Sequence, residues 1–256
     1  MSNYSELLPK IGIELEFYLT YKNKQIDNLK LIEKFIAELK AKILDQKIKI
    51  LAIQKEQGRG QIEIKTIPYL DIDQLLLDIK SIKKISQKLA IEFGFEANFN
   101  PIPFLNDCSN AMQINLTLLD KKNKNLFDKK NNQESKILLN VIAGLLEKLP
   151  EYIDHFSDKS RFNLKRNKEL FISQKYTSPV NLSWGYDNRS CAIRVVGKGQ
   201  DRRLEFRIAD ADIDIKKAIK EFFKMVKYGI NNDSSAPEPI YGNAFDKNYE
   251  HLQLLG

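Results

Sequence analysis

"IKILAIQKEQGRGQIEIK", residues 48–65, reads as a strand, a tight turn and a second strand with no helix between them. The apolar run 48–53 has strand length. "QIEIK" alternates apolar and polar residues, as a half-buried strand does. Gly58 and Gly60 punctuate the segment between them. The turn sets Glu56 and Glu63 seven residues apart, one on each side. Two readings of that pair stay open: a solvated hairpin, or half of a metal cage.

The same patterns extend outward from this hairpin. Strands are expected at 12–20 ("GIELEFYLT"), 111–119, 178–185, 191–197 and 202–210. Apolar residues at helical spacing predict helices over 28–44, 71–94, 136–149 and 215–229. Asp71 or Asp73 would cap the second helix and Gly94 follows it, whereas Pro150 and Gly229 would stop the third and fourth. Residues 121–135 form a polar loop. Strands are neighbours more often than they alternate with helices. The expected fold is therefore α+β, a single domain with a curved antiparallel sheet flanked by helices.

Composition narrows the class. With 43% hydrophobic and 29% charged residues, the 256-residue chain has an ordinary globular balance. No apolar run is long enough to span a bilayer and the first residues lack a signal-peptide core, so no membrane partner and a cytoplasmic location are expected. The net charge of +7 comes from scattered lysines interleaved with acids, so a nucleic-acid partner is not expected. Cys108 and Cys191 have no metal-type spacing and read as free thiols. Trp184 reads as packing, and His155 and His251 as surface residues.

The acids inside strand patterns carry the chemistry. Glu14 and Glu16, two apart, project from one face of a strand, with Ile13, Leu15 and Phe17 on the other. Adjacent carboxylates repel unless a cation lies between them, and a hard divalent ion with oxygen ligands would serve. The plain alternative is an edge strand with its polar face in water. Glu205 and Arg207 share a face in "RRLEFRIAD", and "DNRSCAIR" adds Arg189 and Arg194. Carboxylates and guanidinium groups together suit phosphoryl transfer, in which metal ions and arginines neutralise the moving group. A surface ion-pair network is the competing reading.

"GIELEF", "KEQGRGQIEI", "FNPIPF", "SPVNLSWGYDNRSCAIRV", "RRLEFR" and "PEPIYGNAFD" occur in the order of the catalytic domain of the glutamine synthetase family. The chain resembles that family from about residue 11 to 246. The step from Glu56 to Glu63 is most similar to the glutamine synthetase and γ-glutamyl-polyamine ligase branches, with Arg59 in place of their proline. The resemblance implies the glutamine synthetase/guanido kinase type of catalytic fold. It also implies a reaction in which ATP phosphorylates a carboxylate and an amine displaces phosphate, with Mg²⁺ or Mn²⁺ on the phosphates. By position, Glu16, Glu56 and Glu63 match the ligands of the first metal. Glu14, Glu205 and Gln113 stand at the second, Gln113 where the family has histidine. Arg189 and Arg194 match arginines that contact the ATP phosphates and the transferring group, and Arg207 one at the glutamate and phosphate site.

The departures lie on the acceptor side. Asn115 stands in place of a second histidine, and Phe171 falls near the place of an arginine that grips glutamate, with Arg166 five residues earlier. The strand "GIELEF" begins at residue 12, so the family's N-terminal domain is expected to be lacking. In the family that domain completes a neighbour's site in a ring, which leaves a homo-oligomer open. Two functions follow from the resemblance. One is an ATP-dependent ligase joining a small carboxylate to an amine, inefficient as a glutamine synthetase. The other is a degenerate relative, a pseudoenzyme that binds nucleotide and metal in a regulatory or interaction role.

Overall fold

The computed structural model describes residues 7–175 and 178–256. Chain order gives β1 (Leu8–Tyr21), β2 (Lys24–Gln25), α1 (Leu29–Asp45), β3 (Ile50–Lys55), β4 (Gln61–Thr66), α2 (Ile72–Glu92), β5 (Glu96–Asn98) and β6 (Met112–Leu119). Then follow α3 (Lys136–Tyr152), α4 (Leu164–Ile172), β7 (Trp184–Tyr186), β8 (Ile193–Val196), β9 (Arg203–Phe206) and α5 (Ile215–Asn231). The nine strands form one open sheet in the order β3-β4-β1-β6-β9-β8-β7, with β2 and β5 also pairing with β1. The opening hairpin is β3 and β4, paired antiparallel as expected.

The sheet is α+β and largely antiparallel, with one correction. β7 and β8 pair in parallel. The expected strand 178–185 shrinks to the three residues of β7, so most of that segment is connection rather than ladder.

One face of the sheet is apolar and carries the helices. Ile13, Leu15 and Phe17 of β1, Ile62 and Ile64 of β4, Ile114 of β6, and Leu204 and Phe206 of β9 are at most 1% exposed. Phe17 meets Phe35 of α1 with ring centroids 6.4 Å apart, and Phe206 meets Phe222 of α5 at 5.4 Å. Period-two alternation then sends the acids and arginines of the same strands to the opposite face.

Two expected helix stops are not stops. α3 runs through Pro150 to Tyr152, because a proline in the last turn removes few helical bonds. α5 runs through Gly229 to Asn231. Gly229 is instead the point where α5 touches α3: a Cβ there would lie 2.0 Å from the Asn140 carbonyl oxygen and 2.8 Å from the Gly144 Cα. The glycine permits close helix packing rather than ending the helix. No helix among the described residues is long and apolar enough to cross a membrane.

Candidate active site

Strand register assembles the polar face. Glu16 lies opposite Glu63 across β1 and β4, and Glu14 lies opposite Lys65. On the other side of β1, Glu14 faces Gln113 of β6. Asn115 of β6 faces Glu205 of β9, which faces Arg194 of β8. Residues opposite one another in register share a face, so Glu14, Glu16, Glu63, Glu205 and Gln113 all project together. Glu14, Glu16, Glu63, Gln113, Glu205 and Arg207 are each at most 8% exposed, which removes the solvated-edge reading of these acids.

The turn of the opening hairpin fixes Glu56. Gly60 takes a φ of +80°, and a Cβ on Gly58 would fall 1.9 Å from the Tyr18 hydroxyl. That hydroxyl donates to the Cys108 carbonyl at 2.9 Å, so the turn is packed onto β1 and the 107–110 segment. Arg59 turns outward and donates to Gln25 Oε1 at 2.9 Å. Half-buried Glu56 then lines a cavity of about 320 Å³ with Glu16, Glu63, Gln113, Arg189 and Arg207.

The first set of carboxylates fits a hard divalent cation by its donor chemistry. Burial, and then the Glu56 charge, push the Glu16 carboxyl up to about 8. Burial, and then Glu14, push Glu63 up to about 9. Burial also opposes ionisation of Glu14, but a hydrogen bond with Glu63 and the charge of Lys65 outweigh it and hold Glu14 below the usual carboxylate value. Burial thus opposes negative charge on both Glu16 and Glu63, and a cation would relieve this. As the side chains stand, no three His, Cys, Asp or Glu residues among the described ones close around a point. Glu16, Glu56 and Glu63 are a lining, not a formed cage.

A pH dependence follows. Both Glu16 and Glu63 have folded values above an ordinary 4.5, so the metal-free fold holds protons that the unfolded chain has released. Their stabilising contribution is full below that ordinary value and is lost as pH rises through the folded values. The metal-free melting temperature is expected to fall from about pH 5 to about pH 9, and Mn²⁺ to restore most at the alkaline end. At pH 7, calorimetry in buffers of different ionisation heat should detect protons released on Mn²⁺ binding. Binding without proton release would remove Glu16 and Glu63 from the ligand set.

The second set does not fit a cation. Glu14 Oε1 accepts from Asn115 Nδ2 at 3.1 Å and Oε2 from Lys65 Nζ at 2.9 Å. Glu205 Oε1 accepts from Arg207 Nη1 at 2.5 Å and Oε2 from Arg194 Nη1 at 3.1 Å. Gln113 Oε1 accepts from Arg207 Nη1 at 3.2 Å, while its Nε2 donates to Glu16 Oε1 at 3.2 Å. Both Glu16 oxygens also accept hydrogen bonds, but from neutral donors, whereas four of the five oxygens that were to bind the second metal accept from Lys or Arg cations.

The arginines separate. Arg189 is exposed on the rim of the cavity, and Arg207 is buried in its wall. Arg194 forks onto Asp187 and Glu205, so it holds Glu205 rather than standing open to a phosphate. Arg166 does not fill the place of the expected substrate arginine: it donates to Ser109 Oγ at 3.0 Å and to the Asp107 carbonyl at 2.6 Å. Phe171 packs on Phe245 with centroids 5.2 Å apart. Burial pushes the thiols of Cys108 and Cys191 up to about 12 and about 11, which keeps them protonated and unreactive.

Sequence reasoning missed two residues here. Lys65 bridges Glu14 and Glu63, the latter at 3.0 Å. Its place two residues after Glu63 was the available signal, since both must share a face. Arg161, 1% exposed, lines the cavity and pairs with buried Asp210. No local pattern marked it.

The model of the glutamine synthetase catalytic domain matches residues 21–255. Gamma-glutamylputrescine synthetase PuuA of Escherichia coli (strain K12) is 20% identical over 94% of this chain and 55% of its own length. Type-1 glutamine synthetase 2 of Dictyostelium discoideum is 32% identical over 64% of this chain and 31% of its own. Gamma-glutamylethanolamide synthetase GlnA4 of Streptomyces coelicolor is 28% identical over 66% and 34%. The chain therefore spans about a third to a half of the length of these relatives. A solved GmaS/ADP complex shares the fold, with a TM-score of 0.83 over 98% of this chain and 62% of that one at 19% identity. With the family model matched over residues 21–255, the chain belongs to the glutamine synthetase catalytic-domain family.

Proposed function

We propose that the chain is an ATP- and divalent-cation-dependent ligase-like protein that activates a small carboxylate for capture by an amine. The observation that carries this reading is the cavity in which Glu16, Glu56 and Glu63 face Arg189 and Arg207. In the proposed reaction a carboxylate oxygen attacks the γ-phosphorus of ATP and ADP departs. The amine nitrogen then attacks the acyl carbon, phosphate leaves, and an amide forms. A bound Mg²⁺ or Mn²⁺ supplies charge neutralisation at the phosphoryl oxygens, and Glu16, Glu56 and Glu63 are the residues to hold it. Arg207 stands in the cavity wall with its Nη1 held by Glu205 and Gln113, a cation fixed in place beside an oxyanion in the cavity. Arg189 on the rim suits the incoming anion. A second cavity of about 770 Å³ is lined by Lys10, Lys65 and Arg203 together with Glu14 and Asp201.

Glutamate with ammonia is the least favoured pair. Gln113 and Asn115 carry no charge, Phe171 is engaged in packing, and Arg161 and Arg166 are both committed to protein partners. The test is calorimetry with a non-hydrolysable ATP analogue and Mn²⁺, followed by a phosphate-release screen over acids and amines. ATP-dependent release with at least one pair is expected, and with glutamate and ammonia a turnover below about 1 s⁻¹, the lower end of usual enzymes. Nucleotide binding with no release for any pair would overturn the ligase reading.

A further inference from the structure

We propose that Lys65 is a built-in cation that takes the place of a second divalent ion, so that the chain binds one Mg²⁺ or Mn²⁺ rather than two. The inference rests on the proposed metal-dependent function and adds to it the number of ions and the residue that sets it.

Lys65 sits in β4 directly opposite Glu14, a position dictated by backbone register rather than by a flexible surface contact. Its ammonium lies 2.9 Å from Glu14 and 3.0 Å from Glu63, joining the two carboxylates much as a shared cation would. Glu14 and Glu63 keep only 11% and 4% of their side-chain surface exposed, so water does little to replace that charge.

The rest of the expected second site is closed by the same logic. Glu205 lies between Arg194 and Arg207, at 3.1 and 2.5 Å, and Arg207 also donates to Gln113. Two carboxylates, Glu14 and Glu205, thus face three protein cations. A divalent ion entering there would have to displace an ammonium or a guanidinium from a dry pair, and would find one neutral amide in place of an imidazole. The Glu16, Glu56 and Glu63 lining differs in the charge of its donors: the Glu16 oxygens accept from Gln113, Gln61 and the Ala111 amide, all neutral, and Lys65 touches only one of the three acids. That asymmetry predicts one cation, on the Glu16 side.

The experiment counts ions. Mn²⁺ alone, without nucleotide, is titrated into the protein with free Mn²⁺ followed by electron paramagnetic resonance. The wild type should saturate at one Mn²⁺ per chain. Lys65→Gln, which keeps length and removes the charge, should take up two. Lys65→Arg, which restores a cation, should return to one. Two ions in the wild type would overturn the inference while leaving the metal-dependent function intact, and this count needs no variant to fold. One ion in a folded Lys65→Gln would overturn the role given to Lys65. No Mn²⁺ on the wild type would overturn both the inference and the metal reading beneath it.

Discussion

Arg207→Ala is expected to lower ATP-dependent phosphate release about 10³-fold, the largest functional loss of any single change in the site. The magnitude comes from where the guanidinium lies. It is 6% exposed in the cavity wall, and its Nη1 is divided between Glu205 and Gln113. A guanidinium already fixed in the cavity wall needs no reorganisation to act on a charge that develops beside it. The fold should survive, because Glu205 keeps Arg194 as a second partner at 3.1 Å. Arg207→Lys keeps the charge but not the planar fork, and should recover only part of the rate. The loss should fall in turnover rather than in nucleotide affinity, since the arginine is assigned to the transferring group. Phosphate release by the alanine variant within threefold of wild type would place the chemistry elsewhere.

The parts legible in the sequence are those with a short period. Alternation placed Glu14, Glu16, Glu63 and Glu205 on strands and opposed them to Ile13, Leu15, Phe17 and Phe206; the structure keeps that division. Helical spacing found α1, α2, α3 and α5. What failed depends on distant partners. Pro150 and Gly229 carry a local signal to stop a helix, yet α5 continues because Gly229 is needed where it crosses Gly144. The parallel pairing of β7 with β8 joins three-residue stretches, too short for any pattern to declare. α4 was missed because its nine residues, "LKRNKELFI", bury little: only Asn167 and Leu170 are buried. The site shows the same divide. The acids were legible as a face, but whether each oxygen faces a metal or a protein cation depends on what lies across the register. That is why Gln113 could be named and the role of Lys65 could not.

Arg161→Ala should bring the largest loss of stability, about 3–5 kcal/mol, the usual consequence of removing one partner of a buried ion pair. Arg161 and Asp210 are each 1% exposed, so neither charge is screened by water. The guanidinium donates to Asp210, to the Ile208 carbonyl at 3.0 Å, to the Arg207 carbonyl at 3.0 Å and to Ser178 Oγ at 2.6 Å. Truncation therefore strands a carboxylate and two carbonyls at once. Asp210 would retain only Ser157 Oγ at 2.8 Å and the Asp158 amide at 3.0 Å. In a chain of this size the loss corresponds to a fall of roughly 10 °C in melting temperature. Urea unfolding of Arg161→Ala, Asp210→Ala and the double variant would measure it, with the double expected to lose less than the sum of the singles. The consequence also reaches the chemistry. Arg161 grips the backbone of Arg207 itself, so well below the lowered melting temperature the variant should still release phosphate more slowly than wild type. A loss under about 1 kcal/mol, the range of an exposed pair, would mean that the buried network does not hold the cavity wall.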